Sequence, residues 1–218
     1  MFPPTTHCGV KICGITTAEQ LLAVEAAGAD AIGLNFWPCS KRYVSVDQVA
    51  KWGISQMSAC GVAVTVNANA EALKALAALP LVQVLQLHGD EPPKQVEAVM
   101  HLGLPVIKAL QVRDAGSLQQ IANYPCELFL LDSYNPGLYG GEGKTFPWQL
   151  VHRAKELYPD KRFILAGGLT PSNVAEAIGG VQPAAVDVAS GVESSPAVKD
   201  LSLVQAFIHA ARAAKSRC

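Results

Sequence analysis

Two side chains in this sequence have the chemistry of a proton-transfer pair: the thiol of Cys13 and the carboxyl of Asp132. Each ends a short apolar run. Cys13 closes Lys11-Ile12-Cys13 ahead of Gly14-Ile15-Thr16, and Asp132 closes Leu128–Asp132 ahead of the irregular stretch Ser133–Pro147. The C-terminal end of a parallel strand is where α/β folds put their reacting groups. A thiol has a reference pKa of about 8.5, so it works as a base near neutral pH with modest help. An aspartate at its reference value is protonated to about one part in a thousand at pH 7. To act as an acid, Asp132 therefore needs burial or a neighbouring negative charge. Read alone, Cys13 is a small core hydrophobe before it is a catalyst. Taken together, the two suit proton removal at one substrate atom and proton donation at another. No Ser–His–Asp-like partner set accompanies them, which argues against a covalent hydrolase.

Further polar residues interrupt apolar runs. Lys11 shares a strand face with Cys13, and Gln86 shares one with His88, because side chains alternate along a strand. Lys108 and Asp187 stand inside runs of their own. If all of these point inward, one mouth holds two lysines, two aspartates, a histidine and a thiol. The competing expectation, for Lys108 and Asp187, is that these lysines and aspartates simply pair with each other as structural plugs, since burying charge is costly unless it is paired. Arg42, in Ser40-Lys41-Arg42-Tyr43, is either a bidentate carboxylate ligand or a solvated loop arginine.

Two glycine turns read as a phosphate site. They are Gly167-Gly168 before Leu169-Thr170-Pro171, and Ser190-Gly191 before Val192. Glycines let backbone N–H groups approach an oxyanion, and a helix start favours negative charge. By contrast, Gly143-Lys144-Thr145 imitates the end of a nucleotide-binding loop. That motif requires glycine at the position occupied by Leu138, so nucleoside triphosphate binding is rejected there.

The elements that must position these groups are eight strand candidates: Val10–Ile15, Ala31–Phe36, Gly61–Val66, Val84–His88, Pro105–Leu110, Leu128–Asp132, Phe163–Ala166 and Ala185–Ala189. Each is a short apolar run, as expected of strands buried on both faces. Helical stretches separate them. Thr17 and Gln20 form a capping-box pattern, Thr170-Pro171 predicts a helix start, and Leu201, Val204, Ile208 and Ala211 recur at helical spacing. Eight β-then-α units predict a single α/β domain over 1–218, a (β/α)8 TIM barrel, with an open doubly wound sheet as the alternative. The long stretch Ser133–Pro147 reads as a lid or binding loop.

A net charge of −1 and the absence of a Lys/Arg block give no footprint for nucleic acid or an acidic membrane surface. No run is long and apolar enough for a membrane span, and the first residues lack a secretory signal's basic and apolar regions. The six cysteines show no C-x-x-C spacing, which predicts reduced thiols in the cytoplasm and no metal site.

With these residues in place, the sequence resembles the phosphoribosylanthranilate isomerases of tryptophan biosynthesis. The resemblance is carried by Lys11–Thr16, Gly33-Leu34-Asn35-Phe36, Ser40–Val44, Gln86-Leu87-His88-Gly89-Asp90-Glu91, Leu131–Ser133, Tyr139–Phe146, Ala166–Leu169 and Val186–Glu193, in order along the whole chain. It implies a cofactor-free and metal-free Amadori rearrangement of a phosphorylated small molecule. Asp132 would be the general acid and Cys13 the general base, Arg42 would meet the anthranilate carboxylate, and Gly168, Ser190 and Gly191 would bind phosphate. His88 and Asp187 would support the barrel mouth. It also implies a monomer or homodimer. Lys11 is then a candidate to stabilise the Cys13 thiolate. The sequence departs from the family pattern at Pro147, Ala197 and Cys39. A related sugar-phosphate isomerase of histidine biosynthesis places an aspartate where Cys13 stands. A non-catalytic phosphate-ligand barrel gives no reason for an acid–base pair.

Overall fold

Strand pairing decides between barrel and open sheet. In the computed structural model, β1 (Gly9–Cys13) pairs in parallel with both β2 (Ala31–Asn35) and β8 (Ala185–Val188), so the sheet closes on itself. The intervening strands are β3 (Cys60–Thr65), β4 (Val84–Leu87), β5 (Val106–Val112), β6 (Leu128–Ser133) and β7 (Arg162–Leu165), each parallel to its neighbours in sequence order. The architecture is a (β/α)8 TIM barrel, and all eight predicted strands are present. The structure describes residues 8–133 and 148–214. The predicted lid and the Gly-Lys-Thr stretch fall mostly outside those residues, as do Pro147 and Cys218.

Most crossovers are α-helices: α1 (Ala18–Ala26), α2 (Val46–Lys51), α3 (Ala70–Ala77), α4 (Pro93–Met100), α5 (Gln149–Leu157), α6 (Val174–Val181) and α7 (Leu201–Ala213). After β5 the crossover is instead a 3-10 helix, Ala115–Asn123. Helix starts follow local chemistry. Thr17 accepts from the Gln20 N–H, as the sequence predicted, but the Gln20 side chain donates to the Ala197 carbonyl and does not close the box. Thr170-Pro171 does not open a helix. Asn173 accepts from the Thr170 N–H at 2.8 Å and donates to the Gly168 carbonyl at 2.9 Å, which holds a turn, and α6 begins one residue later. In α7 the buried face is Val204, Phe207, Ile208 and Ala211, while Leu201, the first helical residue, is exposed.

Alternation along the strands builds two apolar layers. Inside the barrel lie Val62, Val64, Val84, Ile107, Leu130 and Ile164. Outside, between sheet and helices, lie Ile12, Leu34, Leu85, Phe129, Leu131 and Phe163. This parity corrects one expectation. Ile107 and Ala109 face inward, so Lys108 points outward and never reaches the mouth. Its Nζ lies 2.8 Å from Glu91 and 2.7 Å from the Gly89 carbonyl. Glu91 also accepts from the N–H groups of Asn67 and Gly89. This buried cluster ties down the turn that follows β4 and carries His88, so Lys108 is structural, but its partner is Glu91 and not the aspartate that the ion-pair alternative expected.

Candidate active site

The inward residues at the C-terminal ends of the strands line one cavity of about 410 Å³. Cys13, Arg42, His88, Asp132, Gly168, Asp187, Ser190 and Gly191 all border it, so every predicted site residue meets in one place.

Cys13 is buried at the end of β1, and its thiol sits over Gly33 of the paired strand β2. A Cβ at Gly33 would stand 2.6 Å from Sγ and 3.1 Å from Lys11 Nζ, so only glycine leaves room for the thiol and amine there. Lys11, fully buried, donates to Asp187 Oδ1 at 2.7 Å. Register explains the pair, because Lys11 and Asp187 are direct partners across β1 and β8. The pairing alters the expected role of Lys11. Burial pushes the Cys13 thiol up, Lys11 pulls it down, Asp187 pushes it up again and Lys199 pulls it down, and the net direction is upward. Lys11 thus opposes a rise that it does not overcome, since Asp187 offsets its charge at short range.

A pH-dependent prediction arises from these signs. The thiolate is the alkylated species, so the rate at Cys13 climbs with pH towards a midpoint above that of an ordinary thiol. Asp187→Asn removes a negative neighbour, lowers that midpoint, and at pH 8 speeds alkylation by iodoacetamide on the order of three- to tenfold. Peptide mass spectrometry separates Cys13 from the exposed Cys39. A slower or unchanged rate at Cys13 would count against Asp187 as the group that holds the thiol up.

Asp132 is buried on β6, across the mouth from β1. Its Oδ1 accepts from the Ser133 N–H at 2.8 Å, and its Oδ2 lies 3.6 Å from His88 Nε2, just beyond hydrogen-bonding distance. Gly167, at φ +86°, passes close beside it, and a Cβ there would stand 2.8 Å from Oδ1. The imidazole of His88 is held from behind, with Nδ1 2.9 Å from Gln86 Nε2. With the amide nitrogen donating, Nδ1 accepts and the ring hydrogen lies on Nε2, the edge facing Asp132. Gln86 and His88 share a strand face, as alternation predicted.

Arg42 is neither free nor solvated. Its Nε and Nη2 donate to the two oxygens of Glu193, each at 2.7 Å. Glu193 is also held by Lys199, at 2.8 Å. Neither Glu193 nor Lys199 was singled out as a site residue in the sequence. Glu193 closes the Val186–Glu193 motif, and that was its only signal; Lys199 gave none.

The two glycine turns come together as expected. Gly191 packs on the Leu169 carbonyl so closely that a Cβ would overlap it. A 3-10 helix, Ser190–Val192, opens at the second turn. The helix start beside the site is this short one, because α6 begins only at Val174, six residues past Gly168. Among the described residues, no group of three or more His, Cys, Asp or Glu side chains is arranged to hold a metal ion.

The sequence profile described as N-(5'phosphoribosyl)anthranilate (PRA) isomerase matches residues 10–210. The chain belongs to the phosphoribosylanthranilate isomerase family. The family member of Rubrobacter xylanophilus is 44% identical over 205 residues, covering 93% of this chain and 98% of that protein. The phosphoribosylanthranilate isomerase of Thermotoga maritima superposes with a TM-score of 0.83 at 37% identity, covering 94% of this chain and 98% of its own. Another phosphoribosylanthranilate isomerase, solved with reduced 1-(o-carboxyphenylamino)-1-deoxyribulose 5-phosphate, superposes with a TM-score of 0.81 at 35% identity, covering 94% of this chain and 98% of that one. The family's barrel therefore extends over almost all of this sequence, including both strands that end in the acid–base candidates.

Proposed function

We propose that the cavity at the barrel mouth converts N-(5-phosphoribosyl)anthranilate to 1-(2-carboxyphenylamino)-1-deoxyribulose 5-phosphate, with Asp132 as general acid and Cys13 as general base. Family membership makes the chain an isomerase of tryptophan biosynthesis. The observation that carries the acid–base assignment is a single cavity bordered by a thiol from β1 and a carboxyl from β6, with β7 and β8 between them on one side.

In this reading the substrate phosphate lies against the turns at Gly168 and Ser190-Gly191, where N–H groups at a helix start favour an anion. The carboxylate of the anthranilate lies against the outer edge of Arg42. The sugar is then stretched between Cys13 and Asp132. Asp132 gives its proton to the furanose ring oxygen as the C1–O bond breaks, and the nitrogen lone pair forms the iminium. The Cys13 thiolate takes the proton from C2, and those electrons return to the nitrogen through the C1–C2 double bond, leaving an enolamine. Tautomerisation to the C2 ketone completes the aldose-to-ketose change. No step calls for a cofactor or a metal. His88 supports Asp132, and Asp187 supports Cys13 through Lys11. The thiolate is the working form of Cys13, so the enzyme needs a reducing compartment, and the reading places it in the cytoplasm. It takes the chain as one domain, acting as a monomer or homodimer.

The test is direct. Purified protein should consume phosphoribosylanthranilate, followed by loss of its fluorescence, with and without EDTA. Absence of turnover under both conditions would overturn the reading.

A further inference from the structure

We infer that Glu193 and Lys199 are positioning residues that hold Arg42 as a fixed fork and thereby set the enzyme's selectivity for a carboxylate-bearing substrate. This rests on the proposed role of Arg42 and goes beyond it. A guanidinium on a loop ordinarily costs side-chain entropy to immobilise when a ligand arrives. Here that cost has already been met within the protein.

Three contacts immobilise Arg42. Both oxygens of Glu193 engage it at 2.7 Å in the planar two-point geometry that fixes a guanidinium's orientation. The aliphatic stem crosses Gly14, where a Cβ would overlap its Cδ. The backbone N–H of Arg42 donates to Ser40 Oγ at 3.1 Å. Glu193 is fixed in turn. Lys199, whose side chain has no solvent exposure, bonds Glu193 Oε1 at 2.8 Å and the Ala189 carbonyl at 2.9 Å. Burial pushes the Glu193 carboxyl up, but the bonds from Arg42 and Lys199 hold it below the usual carboxylate range. Glu193 thus stays ionised and keeps its grip on Arg42.

The charge balance gives the cluster a use beyond structure. Arg42 and Lys199 each carry one positive charge and Glu193 one negative, which leaves a net +1 beside the cavity. Lys199 is enclosed, so the surplus is offered through the edge of Arg42 that Glu193 does not occupy. Ala189 immediately precedes the Ser190–Val192 turn, so one network links the phosphate turn to the carboxylate fork. The distance between the two anions of the ligand is then matched by a rigid unit.

The test compares two ligands by calorimetry: reduced 1-(o-carboxyphenylamino)-1-deoxyribulose 5-phosphate and its analogue lacking the ring carboxylate. Wild-type protein should favour the carboxylated ligand. The double variant Glu193→Gln/Lys199→Met removes one charge of each sign, so the net +1 and Arg42 itself remain. It should lose about tenfold in affinity for the carboxylated ligand, the equivalent of one charge-assisted hydrogen bond. The analogue should lose no more than about twofold, because the lost Lys199–Ala189 bond bears only on the phosphate that both ligands share, while the fork bears on the carboxylate alone. A structural defect would weaken both ligands alike.

Glu193→Gln alone decides the matter a second way should the double variant not fold. It raises the local charge to +2, so simple attraction would tighten the carboxylated ligand, whereas loss of positioning weakens it. An unchanged preference in the variants, with wild-type preference present, overturns the positioning role and leaves the Arg42 assignment standing. No preference in wild type overturns the Arg42 assignment as well.

Discussion

Replacing Asp132 with asparagine should lower turnover by about 10²- to 10⁴-fold, the range associated with a positioned general acid, while leaving affinity for the reduced product analogue within a few-fold. Asparagine keeps the shape of the side chain, and its oxygen can still accept from the Ser133 N–H that now bonds Oδ1 at 2.8 Å. What it lacks is an ionisable proton. The ring oxygen would then have to leave as an alkoxide or take its proton from water, and ring opening would become the slow step. Binding separates this from a loss of order. Wild type and Asp132→Asn should bind the reduced product analogue alike, and only turnover should differ. Near-wild-type turnover in the variant would remove Asp132 as the acid.

Cys13→Ser should cost a comparable factor, about 10²- to 10⁴-fold, by a different route. The hydroxyl fits the space above Gly33, where a larger group would not, so binding and fold should persist. A hydroxyl ionises far less readily than a thiol, and this site already opposes ionisation: burial and Asp187 push the Cys13 thiol up against the pull of Lys11 and Lys199. The variant should therefore bind substrate and open the ring, but fail to take the C2 proton. Two measurements check this. Substrate deuterated at C2 should show a larger isotope effect in Cys13→Ser than in wild type, because proton abstraction becomes limiting. Turnover in Cys13→Ser should also keep rising with pH beyond the point where the wild type levels off. Wild-type turnover in Cys13→Ser would exclude the thiol as base.

Both variants act at opposite ends of one substrate, so their combination is informative. If each proton transfer belongs to a separate step, the double variant is limited by the slower of the two and should fall well short of the product of the single losses.

The sequence by itself determined the frame of this protein. Eight apolar runs alternating with helical stretches specified a parallel α/β domain and predicted the barrel, and they placed Cys13 and Asp132 at strand ends. Both were legible because they depend on local pattern: run length, period and the turn residue that follows. The pairing of Gln86 with His88 was legible for the same reason, since two residues on one strand share a face whatever surrounds them.

Only the tertiary structure decided which face points inward. Val106–Val112 is apolar on both sides, so Lys108 carried no sign of its direction until β5 was set beside β4 and β6, and it turned out to serve Glu91 outside the barrel. Lys11 found Asp187 at a separation of 176 residues, and Arg42 found Glu193 at 151. A charged side chain's partner follows from barrel closure and register, which bring distant strands together. Its own neighbours in sequence say nothing of it. That is why Cys13 and Asp132 could be placed at strand ends from the chain, while the ion pairs around the thiol and the arginine could not.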